Sequence, residues 1–135
     1  MGSVSVNNNQ GVKMFSPQLR VIISGLSFLV IFAIGFVLQH SGKPYNVALF
    51  TLHKLVSIGL AVFLVVAVIK INQVAPLSTI QIIVLAISAL CFIATVATGG
   101  MLSVEKTWPL IVAVLHKVLP FATLVSTAVS LYLLS

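Results

Sequence analysis

Hydrophobic residues along this chain do not alternate with polar ones; they come in four long blocks separated by short polar breaks. The blocks run from about Leu19 to Leu38, Val47 to Ile69, Leu77 to Thr98 and Pro109 to Leu134. Each is near the ~20 residues that a helix needs to cross a ~30 Å hydrocarbon layer. A membrane barrel would show short segments of strict alternation instead. The breaks carry turn chemistry: Gln39-His40-Ser41-Gly42-Lys43-Pro44, then Asn72 to Pro76, then Gly99-Gly100 to Thr107. Pro17, Pro44, Pro76 and Pro109 sit at or just before the expected helix starts, where a missing N–H costs little. Connections this short join antiparallel neighbours. The pattern therefore predicts an all-α membrane protein, a four-transmembrane-helix up-down-up-down bundle. Residues 1 to 17 read as a polar flexible leader, lacking the charged-then-apolar order of a signal peptide. Val6 stands where a myristoylation motif needs Ser or Thr. Residues 18 to 135 read as a single transmembrane domain.

Composition agrees and removes other classes. Only 6% of the 135 residues are charged, where a soluble domain carries about a quarter. The formal charge of +6 reflects a near absence of acids, since Glu105 is the only one. The seven Lys and Arg are dispersed rather than gathered on a wet face, which excludes a nucleic-acid surface. The expected partner is the lipid bilayer. Lys13, Arg20 and Lys70 on one side against Lys43 and Lys106 on the other place both termini in the cytoplasm by the positive-inside rule. Counting the shallow Lys54 and Lys117 reverses that balance. Cys91, alone in an apolar run, reads as a packing residue.

Two histidines break the apolar pattern, in TLHKLVSIG (residues 51 to 59) and VLHKVL (residues 114 to 119). A shift of 63 residues lays Lys43 on Lys106, Tyr45 on Trp108, Leu52 on Leu115, His53 on His116 and Lys54 on Lys117. Residue types that are scarce here coincide at one offset, so the chain reads as two repeated helical hairpins, about residues 18–72 and 76–135. The shift spans two helices, so helices 2 and 4 run in the same direction. His53 and His116 then lie about 10 Å below one interface, which Tyr45 and Trp108 mark as amphipathic aromatics do.

A lone intramembrane His is commonly an interhelical hydrogen-bond partner. Two at matched depth on parallel helices also suit axial ligation of a b-type haem, which is held by facing imidazoles within apolar walls. The face of helix 2 shared with His53 carries Ser57, Leu60, Ala61 and Leu64. That of helix 4 shared with His116 carries Pro120, Thr123, Leu124 and Thr127, and helix 3 offers the small residues Ser88, Thr95 and Gly99. Lys54 and Lys117 either snorkel to the interface or meet haem propionates, with Lys43 and Lys106 near the same surface. Glu105 cannot serve both. His40, at the end of helix 1, is a solvent-exposed loop residue or a contact for a propionate or a quinone headgroup. The chain has three His and no CxxCH, so a closed zinc site or a c-type haem is not written in it.

LHKLVSIGLAVFLVVAVIK, residues 52 to 70, resembles the second helix of the small bacterial cytochrome b-561 family. There a Leu-His-Lys followed shortly by Gly opens a long apolar helix that ends in a basic residue, and the His ligates haem. Four transmembrane helices and a ligand His in the fourth, here His116, are also similar. That family holds two haems with four histidines, including one in helix 1 and two in helix 4. This sequence has none within helix 1 and one in helix 4, so the resemblance implies a single haem b. It implies an electron carrier or oxidoreductase subunit in a bacterial or archaeal cytoplasmic membrane, between the quinone pool and a redox protein partner, alone or as a homo-oligomer. The alternative is a cofactor-free membrane subunit or small transporter whose His-Lys pairs line a cavity for an anionic ligand. A parallel repeat occurs in transporters too.

Overall fold

A computed structural model describes residues 16–104 and 107–135 of the chain. It contains four α-helices: α1 (Pro17–Ser41), α2 (Val47–Val74), α3 (Thr79–Ser103) and α4 (Leu110–Leu133). All four are long and apolar enough to cross a membrane, and no strand occurs among the described residues. The all-α reading holds, and the chain is an integral membrane protein. It divides into two compact units, Met1–Val74 and Ala75–Ser135. Each is one helical hairpin, α1 against α2 and α3 against α4. Of the expected leader, residues 1–15 lie outside the described residues, as do Glu105 and Lys106.

The helix starts follow local chemistry. Ser16 caps α1 by accepting from the Leu19 N–H at 3.4 Å, with Pro17 in the first turn. Asn46 Oδ1 accepts from the N–H groups of Ala48 and Leu49 at 3.0 and 3.1 Å and so opens α2. Ser78 and Gln81 form a reciprocal capping box at the head of α3, satisfying two N–H groups that the helix leaves open. Pro109 precedes α4 without a side-chain cap.

Three ends differ from the sequence expectation, and at the first α1 runs on through Gln39 and His40 to Ser41, a stretch expected to turn. α2 continues to Val74 rather than stopping near Ile69, and yields only before Ala75-Pro76, where proline disfavours the helical region for its predecessor. Hydropathy marks where the hydrocarbon ends, whereas the backbone hydrogen bonds run on through Lys70 and Asn72. α3 likewise passes through Gly99 and Gly100 to Ser103, a stretch expected to turn. The reason for those glycines lies in packing, described below.

Within the first hairpin, α1 buries Arg20, Ser24, Phe28, Ile34 and Leu38, and α2 buries Leu60 and Ala67. Within the second, α4 buries Val112, Thr123, Thr127, Ser130 and Leu131, and α3 buries Thr98. Large apolar side chains cover the outside, among them Leu29, Leu55, Leu90 and Leu110. In water such a surface would drive association; in a bilayer it is the solvated face.

The inward seam of the second helix repeats every seven residues in both hairpins: His53, Leu60, Ala67 and His116, Thr123, Ser130. A helix drifts only ~20° per seven residues, so each trio stays on one face. Leu60 and Ala67 are each 2% exposed, and their counterparts Thr123 and Ser130 are 2% and 5%. The 63-residue shift thus matches buried positions as well as residue types, and α2 and α4 begin at equivalent residues, Val47 and Leu110. Duplication explains both coincidences together.

The hairpins have diverged in how that seam is held. In the second it is hydroxyl-rich: Ser88 meets Ser130 at 2.9 Å and Thr95 meets Thr123 at 3.1 Å. Gln81 Nε2 donates to the Leu133 carbonyl at 2.6 Å. Such interhelical bonds in a membrane contribute about 0.6 kcal/mol each. In the first hairpin the seam of α2 beyond His53 is aliphatic, and among the described residues the buried Ser24 hydroxyl finds no hydrogen-bond partner.

Candidate functional site

His53 and His116 are each the seventh residue of their helix, at a depth of about 9 Å by helical rise. Both are half-buried, and each ring lies against a glycine of the preceding helix in its own hairpin. A methyl group placed on Gly99 would lie 2.7 Å from His116 Cε1, 3.3 Å from Nδ1 and 3.4 Å from Nε2. One placed on Gly35 would lie 3.4 Å from His53 Cε1 and 3.9 Å from Nδ1. Glycine at 99 is therefore a seat for an imidazole rather than a turn residue. Gly100 beside it faces open space, so only one of the pair carries that constraint.

Hydrogen bonding fixes the His116 ring further. Its Nδ1 lies 3.1 Å from the Thr95 carbonyl oxygen and 3.1 Å from Thr98 Oγ1. A carbonyl only accepts, so Nδ1 carries the proton and donates. The Thr98 hydroxyl already donates to the Ala94 and Thr95 carbonyls at 2.9 and 3.0 Å, so toward the ring it accepts. With the proton on Nδ1, neutral imidazole keeps its lone pair on Nε2, and Nε2 makes no hydrogen bond among the described residues. Metal-ligating histidines are commonly held in this way, by an N–H given to a carbonyl on the far side of the ring.

The backbone around each histidine is also modified one turn later. Pro120 stands four residues after His116 inside α4 and supplies no N–H to the His116 carbonyl. At the equivalent place in α2, Ser57 Oγ donates to the His53 carbonyl at 2.8 Å. The faces expected around the histidines are turned inward: Ser57, Ala61, Leu64, Pro120 and Leu124 are half-buried, and Leu60, Thr123 and Thr127 are buried. The small residues of α3 serve packing in their own hairpin, with Ser88 and Thr95 on α4 hydroxyls and Gly99 under His116.

The basic residues are placed less uniformly. Lys54 is exposed, and its Nζ sits 4.1 Å from the centroid of Phe50, one turn closer to the helix start. That is the posture of a snorkelling lysine. Lys43 Nζ lies 5.9 Å from the Tyr45 ring, and Tyr45 stacks on Phe50 with centroids 5.9 Å apart. The four residues make one cluster at the tip of the first hairpin. Lys117 is exposed, and its helix carries Ala113 where α2 has Phe50. Lys106 lies outside the described residues. His40 belongs to α1 rather than to the loop; it is exposed, its ring packs on Phe36 at 4.1 Å, and its Nδ1 lies 3.0 Å from the Phe36 carbonyl oxygen.

Sequence reasoning did not single out Gly35 as a partner for His53, or Thr98 as one for His116. A signal existed, since Gly35 precedes His53 by 18 residues and Gly99 precedes His116 by 17. Arg20, one of the charges counted on the N-terminal side, is only 4% exposed. Among the described residues no three or more His, Cys, Asp or Glu gather to hold a metal ion. No protein family, curated protein or solved structure matches the chain.

Proposed function

We propose that this chain is a membrane b-type cytochrome that binds one haem through His53 and His116 and passes electrons between the quinone pool and a protein partner. The observation that carries the reading is the seating of the two histidines. Each lies against a glycine of the preceding helix, at places that differ by one residue between the two hairpins, and at His116 the proton is held on Nδ1, leaving Nε2 for a metal.

The donor set fits the group. A metal bound by protein atoms alone needs three or four ligands, whereas haem iron, held by its macrocycle, needs only two imidazoles. When bound, a bis-histidine haem supplies one-electron transfer without an open coordination site. The chain's own residues hold the His116 ring in one tautomer and place a glycine against each ring. Thr95 and Thr98 fix Nδ1–H at His116, and an apolar exterior keeps the site in lipid. Lys43, Lys54, Lys106, Lys117 and His40 remain candidates for propionate or quinone contacts, with Lys54 already turned toward the hairpin tip. The setting that goes with this reading is a bacterial or archaeal cytoplasmic membrane. Titrating the purified full chain with haemin tests the proposal. It predicts saturation at one haem per chain with sharp Soret and alpha bands on reduction; broad spectra without saturation would reject it.

A further inference from the structure

The tip of the first hairpin holds a cluster that the electron-transfer reading does not need. Lys43, Tyr45, Phe50 and Lys54 form a continuous row, cation over ring, ring against ring, ring under cation. Lys54 makes no ion pair or hydrogen bond among the described residues. The chain offers a single acid against seven Lys and Arg, so it cannot neutralise its own cations. Lys54 starts in the second turn of a membrane helix and reaches back toward the helix start. There, at the level of the headgroups, the abundant anion is phosphate.

We propose that Lys54 binds the phosphate of an anionic phospholipid, with Phe50 and Tyr45 packing on its glycerol and upper acyl region. An ammonium group over one face of a stacked aromatic pair matches a phosphate diester, charged at one end and apolar at the other. Lipid rather than free phosphate is favoured because half of the row is apolar ring. The repeat provides an internal control. Lys117 is the counterpart of Lys54, but Ala113 replaces Phe50, so the second hairpin lacks the platform.

The test is native mass spectrometry of the full chain in detergent, titrated with phosphatidylglycerol or phosphatidylcholine of identical acyl chains. Phosphatidylglycerol should bind severalfold more tightly. Lys54→Gln should reduce that preference about fivefold, the ~1 kcal/mol of one lysine near an anionic surface, while Lys117→Gln leaves it unchanged. Equal binding of the two lipids, or equal loss in both variants, would overturn the proposal. So would displacement of phosphatidylglycerol by excess inorganic phosphate, which would make the site one for a free anion. Loss of haem from Lys54→Gln with lipid preference intact would assign the lysine to a propionate and likewise overturn it. The proposal does not depend on haem, since the lipid preference is measurable in the colourless protein.

Discussion

Replacing Gly99 by alanine tests the seating of His116 directly. The new methyl carbon would stand 2.7 Å from Cε1, where carbon atoms prefer ~3.5–4.0 Å. The neighbouring atom belongs to an imidazole pinned by Thr95 and Thr98, not to the free end of a flexible chain. The ring must retreat by about 1 Å, which strains the packing by about 1–3 kcal/mol. It also strips the two Nδ1 contacts, worth about 0.6 kcal/mol each. Better helix propensity returns at most ~1 kcal/mol. Gly99→Ala should therefore destabilise the chain by about 2 kcal/mol. Gly35→Ala meets His53 at 3.4 Å, an ordinary contact, and should change stability by less than about 0.5 kcal/mol. Gly100→Ala, facing open space, should be neutral or mildly stabilising. Reversible unfolding in mixed micelles, followed by circular dichroism, resolves differences of this size. If Gly99→Ala unfolds with the wild type, or if all three variants behave alike, the glycine seat is refuted.

Other substitutions separate the two hairpins. Ser88→Ala should cost about 0.6 kcal/mol by removing the bond to Ser130. Ser24→Ala should be neutral or stabilising, because its buried hydroxyl has no partner among the described residues to lose; the same unfolding assay ranks the pair. Thr98→Val should lower stability by no more than about 0.6 kcal/mol, since His116 Nδ1 keeps the Thr95 carbonyl. In a haem-loaded preparation it should shift the midpoint potential without abolishing the spectrum, which potentiometric titration would read. Gly99→Ala should by contrast lower haem occupancy in a titration with haemin, and full occupancy would argue that His116 is not a ligand.

Much of the architecture was legible because a bilayer leaves few choices. Four apolar blocks of spanning length can only be helices when every backbone group must be satisfied within its own segment. The shift that pairs His53 with His116 also pairs buried positions, Leu60 with Thr123 and Ala67 with Ser130, which only the structure shows. The helix ends were less legible. Lys70 and Asn72 look like a boundary because they are polar, yet polarity ends the hydrocarbon and not the helix. Gly99-Gly100 looked like a turn because glycine serves both turns and close approaches, and only the ring across from it shows which. The tautomer of His116 depends on the Thr95 carbonyl, a backbone atom that no residue pattern reveals. The burial of Arg20 was hidden for a related reason, since a charge near a helix start reads as interfacial wherever it points.

The central claim is that His53 and His116 together hold one haem. It is tested most directly by the reduced-minus-oxidised spectrum of His53→Ala and His116→Ala beside the wild type, all purified from haem-sufficient cells. The account predicts sharp alpha and Soret bands in the wild type and their loss in each single variant. A colourless, folded wild-type protein would contradict the cytochrome reading, and a spectrum that survives both substitutions would contradict the ligand assignment.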